Sequence, residues 1–340
     1  MMPFHESAWS PVGQVSLESL RDARLQLHHL VQLIPALGGA LLEPEEDDGH
    51  RAMVWDPDLQ GFRSRRLATS DDIYLLVRPL PLEIQIRARG QVQRYVLPGH
   101  SLGEAFDWVE RELSTALGDD PMTLDFPEFT IPAHRVAQQA LFDASPTALE
   151  ELASWFQNGT RLLQALREEN PMNTTPLRAW PHHFDLAFRV LLPAGAGTPE
   201  RSIGVGLSPG DEEYPDPYWY VAPWPEPKTT PTMELPWGCW NTEGWFGAAL
   251  RWVDMADWDE GAQPVRARVS PGSDGGESFR RGGQPPVQEL ALYRTESMPH
   301  SSLRVASPRS GCLRLIDRLP AGPSLEPVSA PISRAKSVMQ

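Results

Sequence analysis

The apolar positions of this chain fall into helical periods and strand periods that succeed one another along most of its length. Leu17 to Ile34 carries Leu20, Ala23, Leu27, Leu30 and Val31 on one helical face, with Ser16 as N-cap and Gly38-Gly39 as stop. Leu82 to Ala88 alternates Leu82, Ile84, Ile86 and Ala88 against Glu83, Gln85 and Arg87. This predicts a half-buried strand that turns at Gly90 into a partner, Val92 to Leu97. Ser101 and Glu104 form a capping-box pattern before a helix whose Phe106, Val109, Leu113 and Leu117 share a face.

The second half repeats this grammar. Ser145-Pro146 supplies an N-cap followed by Pro at the first helical position, and Leu149, Leu152, Phe156, Leu163 and Leu166 continue an apolar stripe. Phe184 to Leu192, Ser202 to Leu207 and Tyr218 to Val221 read as strands. Gly244 to Asp257 reads as a final helix burying Trp245, Phe246, Ala249, Leu250, Trp252 and Val253. The expected fold is therefore α+β: antiparallel sheets with helices on one side, over residues 17–259. Two helix–sheet–helix halves, about 17–140 and 145–259, fit the pattern, preceded by a flexible stretch, residues 1–16.

Composition changes the picture at the C-terminus. Residues 261–340 hold 11 Lys/Arg against 6 Asp/Glu, leaving 19 against 39 before them, and none of the twelve Trp lies beyond Trp258. This Arg-, Ser-, Pro- and Gly-rich tail, residues 260–340, lacks sustained periodicity and is expected to be mostly disordered. Its bias matches GC-rich DNA read out of phase, so a frameshift after Trp258 is one account of it.

The net charge of −15 leaves the folded part without the basic surface a phosphate backbone needs, so nucleic acid is not an expected partner. No apolar run reaches the roughly 18 residues of a membrane span, and residues 1–15 show no basic or apolar signal region. Cys239 and Cys312 make no paired framework. The expected setting is the cytoplasm, and the near-exclusive use of Arg over Lys points to a bacterial source.

Candidate chemistry centres on Trp180-Pro181-His182-His183-Phe184-Asp185. Where a loop enters a strand, His183 and Asp185 share a face, which suits a carboxylate orienting a catalytic imidazole or, with His182, a divalent metal site. The competing reading has these residues anchoring a loop. Asp211, in the turn Ser208-Pro209-Gly210-Asp211, lies at the end of an adjacent strand and could complete the cluster. Trp180 of this run, with Tyr218, Tyr220 and Glu243 of the aromatic- and proline-rich segment Tyr214 to Trp245, are candidate ligand-binding residues. The rival is a non-catalytic binding or scaffold protein that presents this segment to a small molecule or a protein. Of the remaining histidines, only His28 flanks the apolar face of the first helix and could reach an interior site. His29 is expected to point away from that face and His50 to be solvated. If the chain is an enzyme, metal-assisted hydrolysis or acid–base chemistry is the class these residues fit. No G-x-S-x-G, H-E-x-x-H or P-loop pattern occurs.

Leu20-Arg21-Asp22 with Leu27-His28, the Trp180 to Asp185 run, Gly206 to Asp211, Pro217 to Tyr220 and Thr242 to Trp245 occur in this order. Together they resemble a bacterial family of domains of unknown function, family fifty-nine ninety-six, over roughly residues 17–258. The resemblance implies no activity, cofactor or partner. It does imply a last helix continuing to the end of the chain, from which this sequence departs after Asp259.

Overall fold

The computed structural model describes residues 9–67, 72–118, 122–169, 173–192, 201–227, 234–255, 266–268 and 291–293. Two α-helices open the fold: α1, Leu17–Leu30, and α2, Leu33–Leu41. Ser16 caps α1 by accepting from the Ser19 amide. The helix breaks at Val31-Gln32, and α2 then runs through Gly38-Gly39 instead of stopping there. From Ala23 onward every residue of α1 is buried. It is enclosed on all sides, and its polar side chains must therefore find partners indoors.

The first sheet is an antiparallel meander: β1 Val54–Asp56, β2 Gly61–Arg63, β3 Tyr74–Arg78, β4 Glu83–Ala88 and β5 Gln91–Val96. β4 is covered on both faces over its first four residues, where half-burial was expected. Glu83 and Gln85 are both inside, with Arg78 donating to Glu83 at 3.2 Å. The capping box at Ser101 and Glu104 opens α3, Leu102–Leu117, which ends on Gly118 in the left-handed region that glycine adopts without strain.

α4, Pro146–Glu169, lies against α1 and leads into the second sheet. Its strands are β6 Arg178–Trp180, β7 Asp185–Leu192, β8 Arg201–Ser208, β9 Tyr218–Trp224, β10 Cys239–Asn241 and β11 Gly247–Arg251. Their spatial order is β10-β11-β9-β8-β7-β6, antiparallel throughout. The two sheets meet edge to edge: Met53, just before β1, and Ala179 of β6 exchange backbone hydrogen bonds at 2.9 and 2.8 Å. One hydrophobic cluster runs from Leu20 of α1 through both sheets to Leu207. Burying its side chains at about 1.5–3 kcal/mol each supplies the main driving force.

Two expectations are corrected. The predicted helix Gly244–Asp257 is instead β11 followed by a four-residue helical turn, α5, Trp252–Met255, as far as it is described. Ala248–Arg251 pairs with Tyr218–Val221, because the buried positions Trp245, Gly247 and Ala249 alternate as a strand requires. The stretch before α1, expected to be flexible, is tied to α4 from Ser10 onward. Glu151 accepts from the amides of Gly13, Gln14 and Val15 at 2.7–2.9 Å, and Asn158 exchanges two bonds with Ser10. The expected disordered tail lies outside the described residues, except for a ribbon of β12, Arg266–Arg268, and β13, Ala291–Tyr293.

Candidate functional site

The Trp180–Asp185 run is a hairpin. Trp180 and Asp185 are cross-strand partners, and Pro181 to Phe184 form the connection, closed by the Phe184 amide donating to the Trp180 carbonyl at 2.7 Å. Phe184 holds φ at 56°, a left-handed conformation that costs an ordinary residue about 1–2 kcal/mol. What compensates is its ring. It is 1% exposed, stacks on His28 at 5.0 Å, and meets Phe62 and Phe156 at 5.3 and 5.2 Å. Driving Phe184 inward leaves His182 and His183 half-buried in the turn. His183 is therefore not on the strand face it was expected to share with Asp185.

These residues nevertheless converge. A cavity of about 700 Å³ is lined by Trp180, His182, His183 and Asp185 from the hairpin, by Asp211 after β8, and by Tyr218 and Tyr220 of β9. Arg24 and His28 of α1 close it on one side, and the extended segment Thr130 to Ala133 on another. Trp245 completes the wall. Glu243, expected at the site, is not among the lining residues. Its side chain is exposed, and only its carbonyl is used, accepting at 2.9 Å from Asn241, which also holds the Trp245 carbonyl at 2.8 Å.

Two of the cavity carboxylates, Asp211 and Asp185, are each engaged by a tyrosine. Tyr218 donates to Asp211 Oδ2 at 2.7 Å, and Tyr220 donates to Asp185 Oδ2. Burial, with the adjacent carboxylates adding to it, pushes both tyrosine hydroxyls above their ordinary range, so they stay protonated donors. Asp211 Oδ1 accepts from the Glu213 and Tyr214 amides at 2.8 Å, which fixes the turn. The ring of Tyr220 lies where a Cβ on Gly206 would be, 2.5 Å away. The Gly204-x-Gly206 pattern thus makes room for an aromatic wall.

The histidines divide by partner. His28 Nε2 lies 2.7 Å from the Pro181 carbonyl, which can only accept, so this nitrogen carries the proton. Gln32 donates to the same carbonyl at 2.8 Å, and burial lowers the His28 pKa to about 3. His182 is also lowered to about 3, first by burial and then by His183, whose ring is 4.2 Å away. His29, expected to face outward, is 3% exposed and meets the Pro132 carbonyl at 3.0 Å, tethering the Thr130–Ala133 wall to α1. The enclosure of α1 on every side is the reason. His50, expected to be solvated, is buried and accepts from the Glu45 amide through Nδ1 at 3.1 Å.

Arg24 has no counterpart among the residues nominated from the sequence. It is 4% exposed, and its Nε and Nη1 have no hydrogen-bond partner among the described residues. Burial lowers its pKa to about 10, partly offset by Asp211, and it remains a cation at neutral pH. A signal was present: Arg24 sits four residues after Leu20 and three before Leu27, inside the apolar stripe.

Among the described residues no group of three His, Cys, Asp or Glu is placed to hold a metal ion. The His182, His183 and Asp185 ligand set does not assemble, because the turn separates the imidazoles from the strand that carries the carboxylate. No helix among the described residues is long and apolar enough to cross a membrane. Fold and site together define an α+β protein of two antiparallel sheets with an aromatic-walled polar cavity at one end of the second sheet. No family model, curated protein or solved structure matches the chain.

Proposed function

We propose that this protein binds a small organic molecule in the cavity between α1, the β6–β7 hairpin and the start of β9. The observation that carries the reading is convergence: residues from α1, the hairpin, the β8–β9 connection and β9 line one space of about 700 Å³. That volume lies within the roughly 300–1,000 Å³ typical of ligand sites. The walls combine flat rings with a few fixed polar groups, as such sites do.

The scaffold alternative, in which the aromatic segment forms a recognition surface, is less well supported, since Tyr218, Tyr220 and Trp245 are buried walls. Among the described residues no ligand set supports metal-assisted hydrolysis. Acid–base chemistry remains the enzymatic form of the proposal, with half-buried His183 as the base and the Asp185–Tyr220 pair beside it.

A ligand-observed NMR screen of small polar aromatics, run against wild type and a cavity-filling His183→Trp variant, tests this reading. Compounds that bind wild type and lose binding in the variant are expected. An absence of binders, or binders indifferent to the substitution, would remove the cavity as a site.

A further inference from the structure

Resting on that reading, we propose that the ligand is a monocarboxylate with an aromatic or branched apolar body, and that Arg24 holds its carboxylate. Four buried N–H-bearing nitrogens on cavity-lining residues have no partner among the described residues. They are Arg24 Nε and Nη1 and the indole Nε1 atoms of Trp180 and Trp245. The three residues are 4%, 8% and 4% exposed. A buried donor without an acceptor costs free energy, and a buried guanidinium more so. Most buried donors of a core are paired; others here, such as Trp155 Nε1, lack a partner singly and away from the cavity, whereas these four line one space. Here all four are donors, and an acceptor-rich ligand is what they lack.

The charge balance chooses among anions. Arg24 is the sole Lys or Arg among the residues lining the cavity, while Asp185, Asp211 and Glu212 line it too. A single carboxylate matches one guanidinium in charge and in planar geometry. A phosphate dianion would bring a second negative charge into a space already bordered by carboxylates. The rings of Trp180, Tyr218, Tyr220 and Trp245 provide flat apolar walls for the rest of the molecule. Gly210 belongs to the same arrangement. Its φ is 103°, and a Cβ there would come within 2.6 Å of Arg24 Nη1, so the turn that carries Asp211 also leaves room for the guanidinium.

The test uses matched probes on the full chain: phenylacetate, indole-3-acetate and isovalerate, each beside its primary amide, with phenyl phosphate as the dianion. Affinities are measured by NMR titration on wild type, Arg24→Met and Arg24→Lys, with folding of each variant checked by its amide spectrum. At least one acid is expected to bind ten-fold or more tightly than its amide. Arg24→Met is expected to erase that preference, and Arg24→Lys to keep part of it. Equal binding of acid and amide to wild type overturns the carboxylate assignment while leaving the cavity a binding site. So does a preference that survives in Arg24→Met, or tighter binding of phenyl phosphate. If no probe of either class binds at millimolar concentration, the proposed function falls with it. Should Arg24→Met not fold, the acid–amide comparison on wild type and the Arg24→Lys result decide.

Discussion

Arg24 and Gln26 sit two residues apart on α1, both buried, and the protein treats them in opposite ways. Gln26 is fully enclosed. Its Nε2 donates to Asp22 and Asp143, and its Oε1 accepts from the Asp143 and Ala144 amides, all between 2.7 and 3.1 Å. It stitches α1 to the entry of α4. Arg24 is buried to a similar degree, yet two of its nitrogens have no hydrogen-bond partner among the described residues. A polar side chain placed for stability comes with its partners. One that lacks them, on the wall of a cavity, is what the proposed ligand would engage. Glu151 and Asn158, which clamp the N-terminal segment, belong with Gln26.

The comparison is sharpened most by breaking its structural side. Gln26→Ala removes four hydrogen bonds and strands the Ala144 amide in a buried setting, and a loss of about 2 kcal/mol is expected in urea denaturation. A loss under about 0.5 kcal/mol would mean that the Gln26 network is replaceable by water and that pairing does not separate the two classes.

A second buried group on α1, His28, adds a pH response. Its folded pKa of about 3 lies below the ordinary value of 6.5, so the folded state refuses a proton that the unfolded chain accepts. Its stability contribution is complete above pH 6.5 and is lost as pH falls from there toward 3. The slope approaches about 1.4 kcal/mol per pH unit for each such proton. His182 acts in the same direction. Denaturation series at pH 7, 6, 5 and 4 on wild type and His28→Gln are expected to show a shallower decline in the variant. Parallel declines would place the acid sensitivity elsewhere.

Much of this arrangement was legible in the chain. The helix stripes of α1, α3 and α4 and the strand pairs β4–β5 and β7–β8 follow from their periods. The Trp180 to Asp185 run, Asp211, Tyr218 and Tyr220 stood out as polar groups beside an aromatic- and proline-rich stretch, although loop anchoring, turn chemistry and core packing explain each of them equally well, and the hairpin itself was not foreseen. What misled was geometry within two residues. Phe184 takes a left-handed backbone to bury its ring, which shifts His183 off the strand face and disperses the expected metal ligands. No spacing rule signals that. Glu243 was nominated as part of the aromatic- and proline-rich segment, but its side chain is exposed and it is not among the residues that line the cavity. Arg24 was visible as a charge inside an apolar stripe, a pattern easily mistaken for a helix flank. The smallest expected effect follows from this: Glu243→Gln should change stability by less than about 0.5 kcal/mol and leave probe binding unaltered, as titration can check.

The contrast between Arg24 and Gln26 is tested most directly by the thermal midpoint of Arg24→Met measured with and without the best-binding acid, beside wild type. Replacing a buried cation whose hydrogen bonding is incomplete by an apolar side chain of similar length is often neutral or stabilising. The unliganded variant is therefore expected to melt at or above the wild-type temperature, while the acid raises the midpoint of wild type alone. A variant that melts well below wild type and is stabilised by the acid to the same extent would show that Arg24 serves the fold and not a ligand.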